Sequence, residues 1–383
     1  VPGCYIYVTR GLLALVGSEA ELAGVLGHEI GHIAGAHSRR QQRRSVWRAL
    51  GVTLVGLTGS ERLTRLAGEA AQFFTLRYSR RQEYDADDFG IRALRTAGYD
   101  PYAAAEMLDA LGRQEAFLAR GTRDSARGIP EWTRSHPTTE HRVARARAAA
   151  AATGVADDAL PEHEAAYLAR VDGLLWGDDP AQGFVIGRTF AHPGMGVAFD
   201  APPGFTLTNS PRAVLLRAGE VRGEFAGGGL GPGGLEGYAE ALLGQIAGDT
   251  PVRGGEARRS VVNGVPALFV SAALAGQAGE VPVAIAVYDA GGGQAYHFVM
   301  VAPAGPDAAG TVPALFGSFR LLSAQQAARY TPRVIRTGVP PAGATVADLA
   351  ARMADPDGAA LFRLLNALPP EAPLRPGVPV KLV

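Results

Sequence analysis

The stretch Ser18-Glu19-Ala20-Glu21-Leu22-Ala23-Gly24-Val25-Leu26-Gly27-His28-Glu29-Ile30-Gly31-His32-Ile33-Ala34-Gly35-Ala36 reads as one helix that carries chemistry. Ser18, three residues before Glu21, is a capping-box start. Leu22, Val25, Leu26, Ile30 and Ile33 repeat at helical spacing, so a helix with one apolar face is expected from Glu19 to about Ala36. Residues four apart on a helix lie about 40° apart around its axis, so His28 and His32 project from one face in consecutive turns. Two imidazoles so placed can grip one zinc ion, and Glu29 beside them can polarise a zinc-bound water. The bland alternative is a helix that happens to hold two histidines and a glutamate. With 8 histidines in the chain, a chance match is on the order of one in a hundred, and two histidines near a core need partners. The metal reading is preferred.

Two histidines leave a catalytic zinc one protein ligand short. The candidate lies in Arg80-Arg81-Gln82-Glu83-Tyr84-Asp85-Ala86-Asp87-Asp88. Glu83 and Asp87 share a helix face, so Glu83 can reach the metal while Asp87 accepts a ring N–H of a liganding histidine. A solvated acidic face balanced by Arg80 and Arg81 is the alternative. Downstream of the paired histidines the ligand reading is the better one. Further helices are expected near 63–78, 80–97 (stopped by Gly98 and Pro101), 102–118 and 138–152, with a short strand at Tyr5–Thr9.

The wider composition excludes several classes. The chain has 383 residues, enough for two or three domains, with Lys+Arg 37 against Asp+Glu 37. Zero net charge removes the usual footprint of a nucleic-acid binder or a polybasic membrane-surface protein. Hydrophobic residues make up 47% and charged residues 19%, which suits packed cores rather than global disorder. The single cysteine, Cys4, excludes an intrachain disulfide and a multi-thiolate zinc site, so a metal must be held by histidine and carboxylate. No apolar run reaches the ~18 residues of a spanning helix; the best candidate, Ala49 to Thr58, is too short. The abrupt start at Val1-Pro2-Gly3 leads us to expect further chain before it.

His28-Glu29-x-x-His32, then Glu83-x-x-Ala86-Asp87, then Ser135-His136-Pro137 with Arg142, resemble the zinc metallopeptidase family of HtpX, BepA and the CAAX prenyl proteases. The resemblance covers about residues 1–150. It implies a mainly α-helical, zincin-type (gluzincin) metallopeptidase domain over residues 1–175, with one Zn2+ per chain on His28, His32 and Glu83 and with Glu29 as general base. Without spanning helices the chain resembles the soluble, envelope-located BepA branch. That implies a periplasmic or cell-envelope location and unfolded or misassembled protein substrates. Members of the family have more chain before Gly3, including an Asn-Ala-Phe-type stretch. Pro137 biases His136 toward an extended loop. In BepA-like members a histidine in such a loop can fill the open zinc position and hold the enzyme latent; packing or capping a helix is the alternative. Arg142 either stabilises a developing oxyanion or pairs with Glu140. His37, five residues after His32, points off the ligand face and reads as structural; His141, His163, His192 and His297 read as surface or packing residues. The strand at Tyr5–Val8 is a candidate edge for an extended peptide substrate.

Beyond about Leu174 the texture turns to short β-type runs between glycine and proline turns: Gly196–Phe199, Ala213–Leu216, Ala267–Val270, Val283–Tyr288 and Tyr296–Val301. Helices near Leu235–Ile246 and Thr311–Phe316 interrupt them, so residues 185–325 form an α+β domain, which weakly resembles PsbP/Mog1-like sandwiches. Gly227–Gly234 is glycine-rich without the order of a phosphate loop and reads as a flexible loop. Residues 331–383 resemble a LysM module, a βααβ unit that recognises N-acetylglucosamine-containing glycans such as peptidoglycan. Here Gly343-Ala344-Thr345 stands for the Gly-Asp-Thr of many members, so a protein-docking role is an equal alternative. The expected protein is a zinc endopeptidase of misfolded envelope proteins. The competing expectations are a chaperone or assembly factor with a mostly closed site, and a peptidoglycan-associated scaffold.

Overall fold

The computed structural model describes residues 5–37, 78–120, 136, 140–276, 279–301 and 306–383. The helix expected at 63–78, the apolar run at Ala49–Thr58, Cys4, Ser135 and Pro137 lie outside them, apart from Tyr78. The chain forms two compact units. One contains the described residues up to Gly177 together with Pro332–Val383, and the other is Asp178–Thr331. No helix among the described residues is long and apolar enough to cross a membrane.

In the first unit, α1 (Arg10–Leu15), α2 (Glu19–Ala34), α3 (Arg80–Ala97), α4 (Ala103–Arg120), α5 (Glu140–Ala151) and α6 (Glu164–Val171) follow in order. Ser18 caps α2 by accepting from the Glu21 amide at 3.0 Å, and Ser79 with Gln82 closes a capping box on α3. Each such cap contributes about 1 kcal/mol. Gly98, at φ 85°, ends α3 in the left-handed conformation.

The buried face of α2 keeps only part of the expected apolar stripe: Val25 is buried and Leu22 packs against the same core. Ile30 and Ile33 are 43% and 53% exposed, while Ala20, Gly24, Gly27, His28, Gly31 and His32 are buried. The reason lies in α3. A Cβ built on Gly31 would stand 2.9 Å from Ala86 Cα, and one on Gly27 would stand 3.0 Å from Gly90 Cα. The two backbones touch through small residues, so the facing rows of α2 and α3 bring histidine onto carboxylate. The expected strand at the start is also corrected. Residues 5–9 pair with no strand among the described residues, and Tyr5 and Tyr7 are 70% and 75% exposed. That leaves the proposed substrate edge without a sheet behind it.

The tail closes the first unit. Strand β1 (Leu175–Trp176) leads out of it; β13 (Arg333–Val334), β14 (Arg336–Gly338), α10 (Val346–Ala350), α11 (Gly358–Leu365) and β15 (Val380–Leu382) return to it. β13 pairs with β1, and β14 pairs antiparallel with β15. Leu349, Leu361, Phe362 and Leu365 join one core with Leu12, Leu15, Leu108 and Leu111, so the tail shares the core of α1 and α4. Lys381, 1% exposed, donates to the carbonyls of Ala14, Leu15 and Val16 at 2.8, 3.1 and 2.9 Å. It caps the C-terminal end of α1, where carbonyls lack helical partners.

The second unit is two antiparallel sheets. β2 (Phe184–Ile186), β3 (Thr189–His192), β4 (Val197–Asp200) and β12 (Arg320–Leu321) make a four-stranded sheet in the order β12-β4-β3-β2. The seven-stranded sheet runs β5-β6-β7-β11-β10-β9-β8, from β5 (Thr206–Asn209), β6 (Val214–Ala218), β7 (Val221–Gly229), β8 (Val252–Val262), β9 (Val265–Gly276), β10 (Gly279–Asp289) and β11 (Gln294–Val301). Along β11, Tyr296, Phe298 and Met300 face a core with Phe199 of the small sheet and Phe316 of α8 (Pro306–Gly317). The alternate Ala295 and Val299 face Leu242 and Ile246 of α7 (Gly234–Ala247). A short helix, α9 (Ala324–Ala327), precedes the return to the first unit. The glycine-rich stretch is corrected in part: Gly227, Gly228 and Gly229 are strand, paired with Tyr296, Ala295 and Gln294. A Cβ on Gly227 would lie 2.7 Å from the Tyr296 ring, so glycine there makes room for a neighbour's aromatic ring.

Candidate metal centre

α2 supplies His28, Glu29 and His32, α3 supplies Glu83 and Asp87, and His136 enters from the chain before α5. Among the described residues, one group of metal-competent donors converges: His28, His32, Glu83 and His136, all buried, with donor atoms within 4.8 Å of one another. His28 Nε2 lies 3.0 Å from His32 Nε2 and 3.3 Å from His136 Nδ1. Glu83 carboxylate oxygens lie 3.6 Å from His28 Nε2, 3.5 Å from His32 Nε2 and 3.1 Å from His136 Nδ1. Around a tetrahedral zinc with bonds of ~2.0–2.1 Å, ligand atoms stand roughly 3.3–3.4 Å apart. The donor set fits such an ion in both spacing and chemistry.

The outward sides of the rings support the same fit. His28 Nδ1 lies 2.9 Å from Asp87 Oδ1, which places the proton on Nδ1 and a lone pair on Nε2. His32 Nδ1 lies 2.9 Å from His37 Nδ1. Were both Nδ1 protons directed outward, the two Nε2 lone pairs would face each other at close range, an arrangement that a cation between them relieves.

The electrostatics are prepared for a cation. Burial lowers the His28 pKa, more than Asp87 raises it, so the ring stays neutral and able to ligate. Burial alone would raise the Glu83 pKa, but contact with the His136 and His32 rings and the nearby Arg142 charge hold it well below the carboxylate range. Asp87 is likewise lowered, burial being outweighed first by the Arg142 hydrogen bonds and then by His28.

Among the described residues Arg142 meets carboxylates of α3. Its Nε and one terminal nitrogen grip Asp87 at 2.7 Å each, and the other lies 2.8 Å from Glu83 Oε2. The guanidinium, 2% exposed, is committed to holding the two carboxylates of α3 behind the site. His136 spans the front: its Nδ1 is in the cluster and its Nε2 lies 3.5 Å from Glu29 Oε1. The ring thus sits between Glu29 and the other three donors. The sequence reading missed two residues. His37 was placed off the ligand face, yet it meets His32. Tyr78 stacks on His32 with centroids 4.0 Å apart, and no spacing rule connects these two residues.

A family model described as peptidase family M48 matches residues 1–150. The mitochondrial metalloendopeptidase OMA1 of Arabidopsis thaliana is 34% identical over 114 residues, covering 30% of this chain and 23% of that protein. The beta-barrel assembly-enhancing protease of Escherichia coli K12 is 33% identical over 141 residues, 34% of this chain and 27% of that protein. Its Yersinia pestis counterpart is 29% identical over 156 residues, 38% and 30%. The chain therefore spans only about a quarter to a third of the length of these relatives. Among solved structures, cyanobacterial PsbP of Synechocystis sp. PCC 6803 matches with a TM-score of 0.28 at 14% identity, over 35% of this chain and 91% of that one, a value that assigns no fold. The family model places the likeness to peptidase family M48 in residues 1–150.

Proposed function

We propose that the chain is a zinc-dependent endopeptidase that acts on misfolded or misassembled proteins of the cell envelope and is held latent by His136. The observation that carries this reading is the placement of Glu29 and the His28–His32–Glu83 donor set on either side of the His136 ring. His28, His32 and Glu83 would hold one zinc ion, and Asp87 and Arg142 would keep their donor atoms aimed. Bound there, zinc supplies a Lewis acid that acidifies water and polarises a peptide carbonyl. Glu29 takes the proton from the attacking water on its carboxylate and delivers it to the leaving amine. That exchange needs the space His136 fills, so cleavage requires the His136 ring to swing out.

Envelope location and substrate class are extended from the similarity to the assembly-enhancing proteases. The tail is proposed as a LysM-like unit. The βααβ order and the β14–β15 pairing favour it. Thr345 is kept for a local reason, since its hydroxyl accepts from the Asp348 amide at 3.2 Å and caps α10. Binding of peptidoglycan by this unit is part of the proposal; a docking role for protein is its alternative.

The test is cleavage of an unfolded protein by the purified chain, with zinc quantified, beside Glu29→Gln and His136→Ala. Wild type is expected to bind one zinc per chain and cleave slowly. Glu29→Gln should keep the metal and lose roughly 10²–10⁴-fold in rate, the usual contribution of a general base. His136→Ala should cleave faster than wild type. Zinc without cleavage in every variant would favour a chaperone that retains the metallopeptidase fold; absence of zinc would end the metal reading.

A further inference from the structure

The two histidines on α2 are oriented by different chemistry. His28 has Asp87, a charged acceptor, on its Nδ1. The Nδ1 of His32 meets His37, whose side chain is 2% exposed. We propose that His37 is a positioning residue for the metal centre, accepting the Nδ1–H of His32 so that its Nε2 lone pair faces the ion. This rests on the zinc reading above.

Local backbone geometry makes the contact possible. Had α2 continued, residue 37 would stand about 140° around the axis from His32, beyond contact. The helix stops at Ala34, and Ala36 adopts φ 48°, the left-handed region. For an alanine that conformation is strained. The turn folds His37 back beneath the last helical turn. Gly35 makes the room, since a Cβ there would enter the His37 ring, 2.8 Å from both Cδ2 and Cε1. Tyr78 stacks on the His32 ring, the two planes inclined by 20°. A strained alanine, a glycine with no space for a side chain, and a buried ring at hydrogen-bond distance are built around one contact. For His32 to donate through Nδ1, His37 must present a bare Nδ1 and carry its own proton on Nε2.

The experiment measures zinc affinity of the full chain by chelator competition, with unfolding of the zinc-free protein as a control on folding. The variants are His37→Leu, which fills the space without accepting, His37→Gln, which restores an acceptor, and Gly35→Ala, which displaces the ring and removes no polar group. Loss of such a support weakens metal binding about 10–100-fold. That loss is expected for His37→Leu and Gly35→Ala, with His37→Gln recovering most of it and all zinc-free proteins unfolding at similar denaturant concentrations. His37→Leu binding zinc as tightly as wild type would overturn the proposal. So would equal losses in Leu and Gln variants that track a fall in zinc-free stability, because His37 would then only pack. A wild-type chain that binds no zinc defeats the metal reading instead, and is told apart by that first measurement.

Discussion

At the metal centre the buried carboxyls of Glu83 and Asp87 are held below their ordinary range, whereas beside the tail burial pushes Glu21 up to about 7 and Glu162 up to about 8. Both clusters lie in the first unit, and burial opposes ionisation in both. The difference is in the partners. Arg142 gives three nitrogens to Glu83 and Asp87, and histidines complete the set. Glu21 receives an amide from Gly17 and the field of Lys381, with Glu106 opposing. Glu162 feels Glu106, Glu21 and Asp100, all of which raise it. Lys381 does not redress this, because its ammonium is directed at three α1 carbonyls. Buried carboxylates provided with cationic donors form a preorganised, negatively charged cradle; buried carboxylates facing one another hold protons.

The contrast breaks most sharply at Arg142. Arg142→Leu leaves Glu83 and Asp87 buried without their cation and should turn the metal centre into a second proton-holding cluster. Removing one partner of a buried pair typically costs about 3–5 kcal/mol, and that loss is expected in urea unfolding of the zinc-free protein, with zinc affinity falling as well. A loss below about 1 kcal/mol would mean that the Arg142 ion pairs do not hold the carboxylates as described.

Lys381→Met tests the other cluster. Methionine matches the stem of the lysine but leaves the carbonyls of Ala14, Leu15 and Val16 without its donors. An unsatisfied buried acceptor costs roughly 1–3 kcal/mol, and the apolar stem offsets part of it, so the expected loss is smaller than for Arg142→Leu. The change should also loosen the tail, seen as faster amide exchange in β15 and α11. Unaltered exchange there would show that the shared apolar core alone keeps the tail in place.

Sequence made the helix-borne part of the centre readable, since His28 with His32 and Glu83 with Asp87 are each four apart, a spacing that sets direction on a helix. It could not place His37, because the left-handed Ala36 reverses the chain where periodicity predicts continuation. The contact of Arg142 with carboxylates of α3 is not legible in spacing, because Asp87 lies fifty-five residues away in sequence. Val25 of the expected stripe on α2 is buried, but Ile30 and Ile33 are not, because the packing partner is the small-residue row of α3, which rewards glycine over larger side chains. β8 escaped notice because it is polar and exposed along nearly all its length, a pattern without the alternation that marks a half-buried strand. Lys381 reads as an ordinary surface lysine until the fold brings the end of α1 beneath it.

The finest test of the contrast is in the pH dependence of stability. The folded-state value of Glu21 is raised from 4.5 to about 7, so between those values the folded chain holds a proton that the unfolded chain has released. Its contribution is fully present below 4.5 and lost as pH rises through about 7. Glu162 acts in the same sense and carries the decline toward 8. Glu83 and Asp87, lowered in the folded chain, act in the opposite sense, stabilising it above their unfolded values and losing that effect as the medium becomes more acidic. Glutamine at position 21 keeps an oxygen for the Gly17 amide and never ionises. Relative to wild type, Glu21→Gln should therefore gain stability steadily between about pH 5 and about pH 7 and run parallel to it below, read from urea midpoints across that range. Curves that stay parallel throughout would mean that Glu21 ionises in the folded chain as readily as in the unfolded one, and that Lys381 and the Gly17 amide do for it what Arg142 does for Glu83.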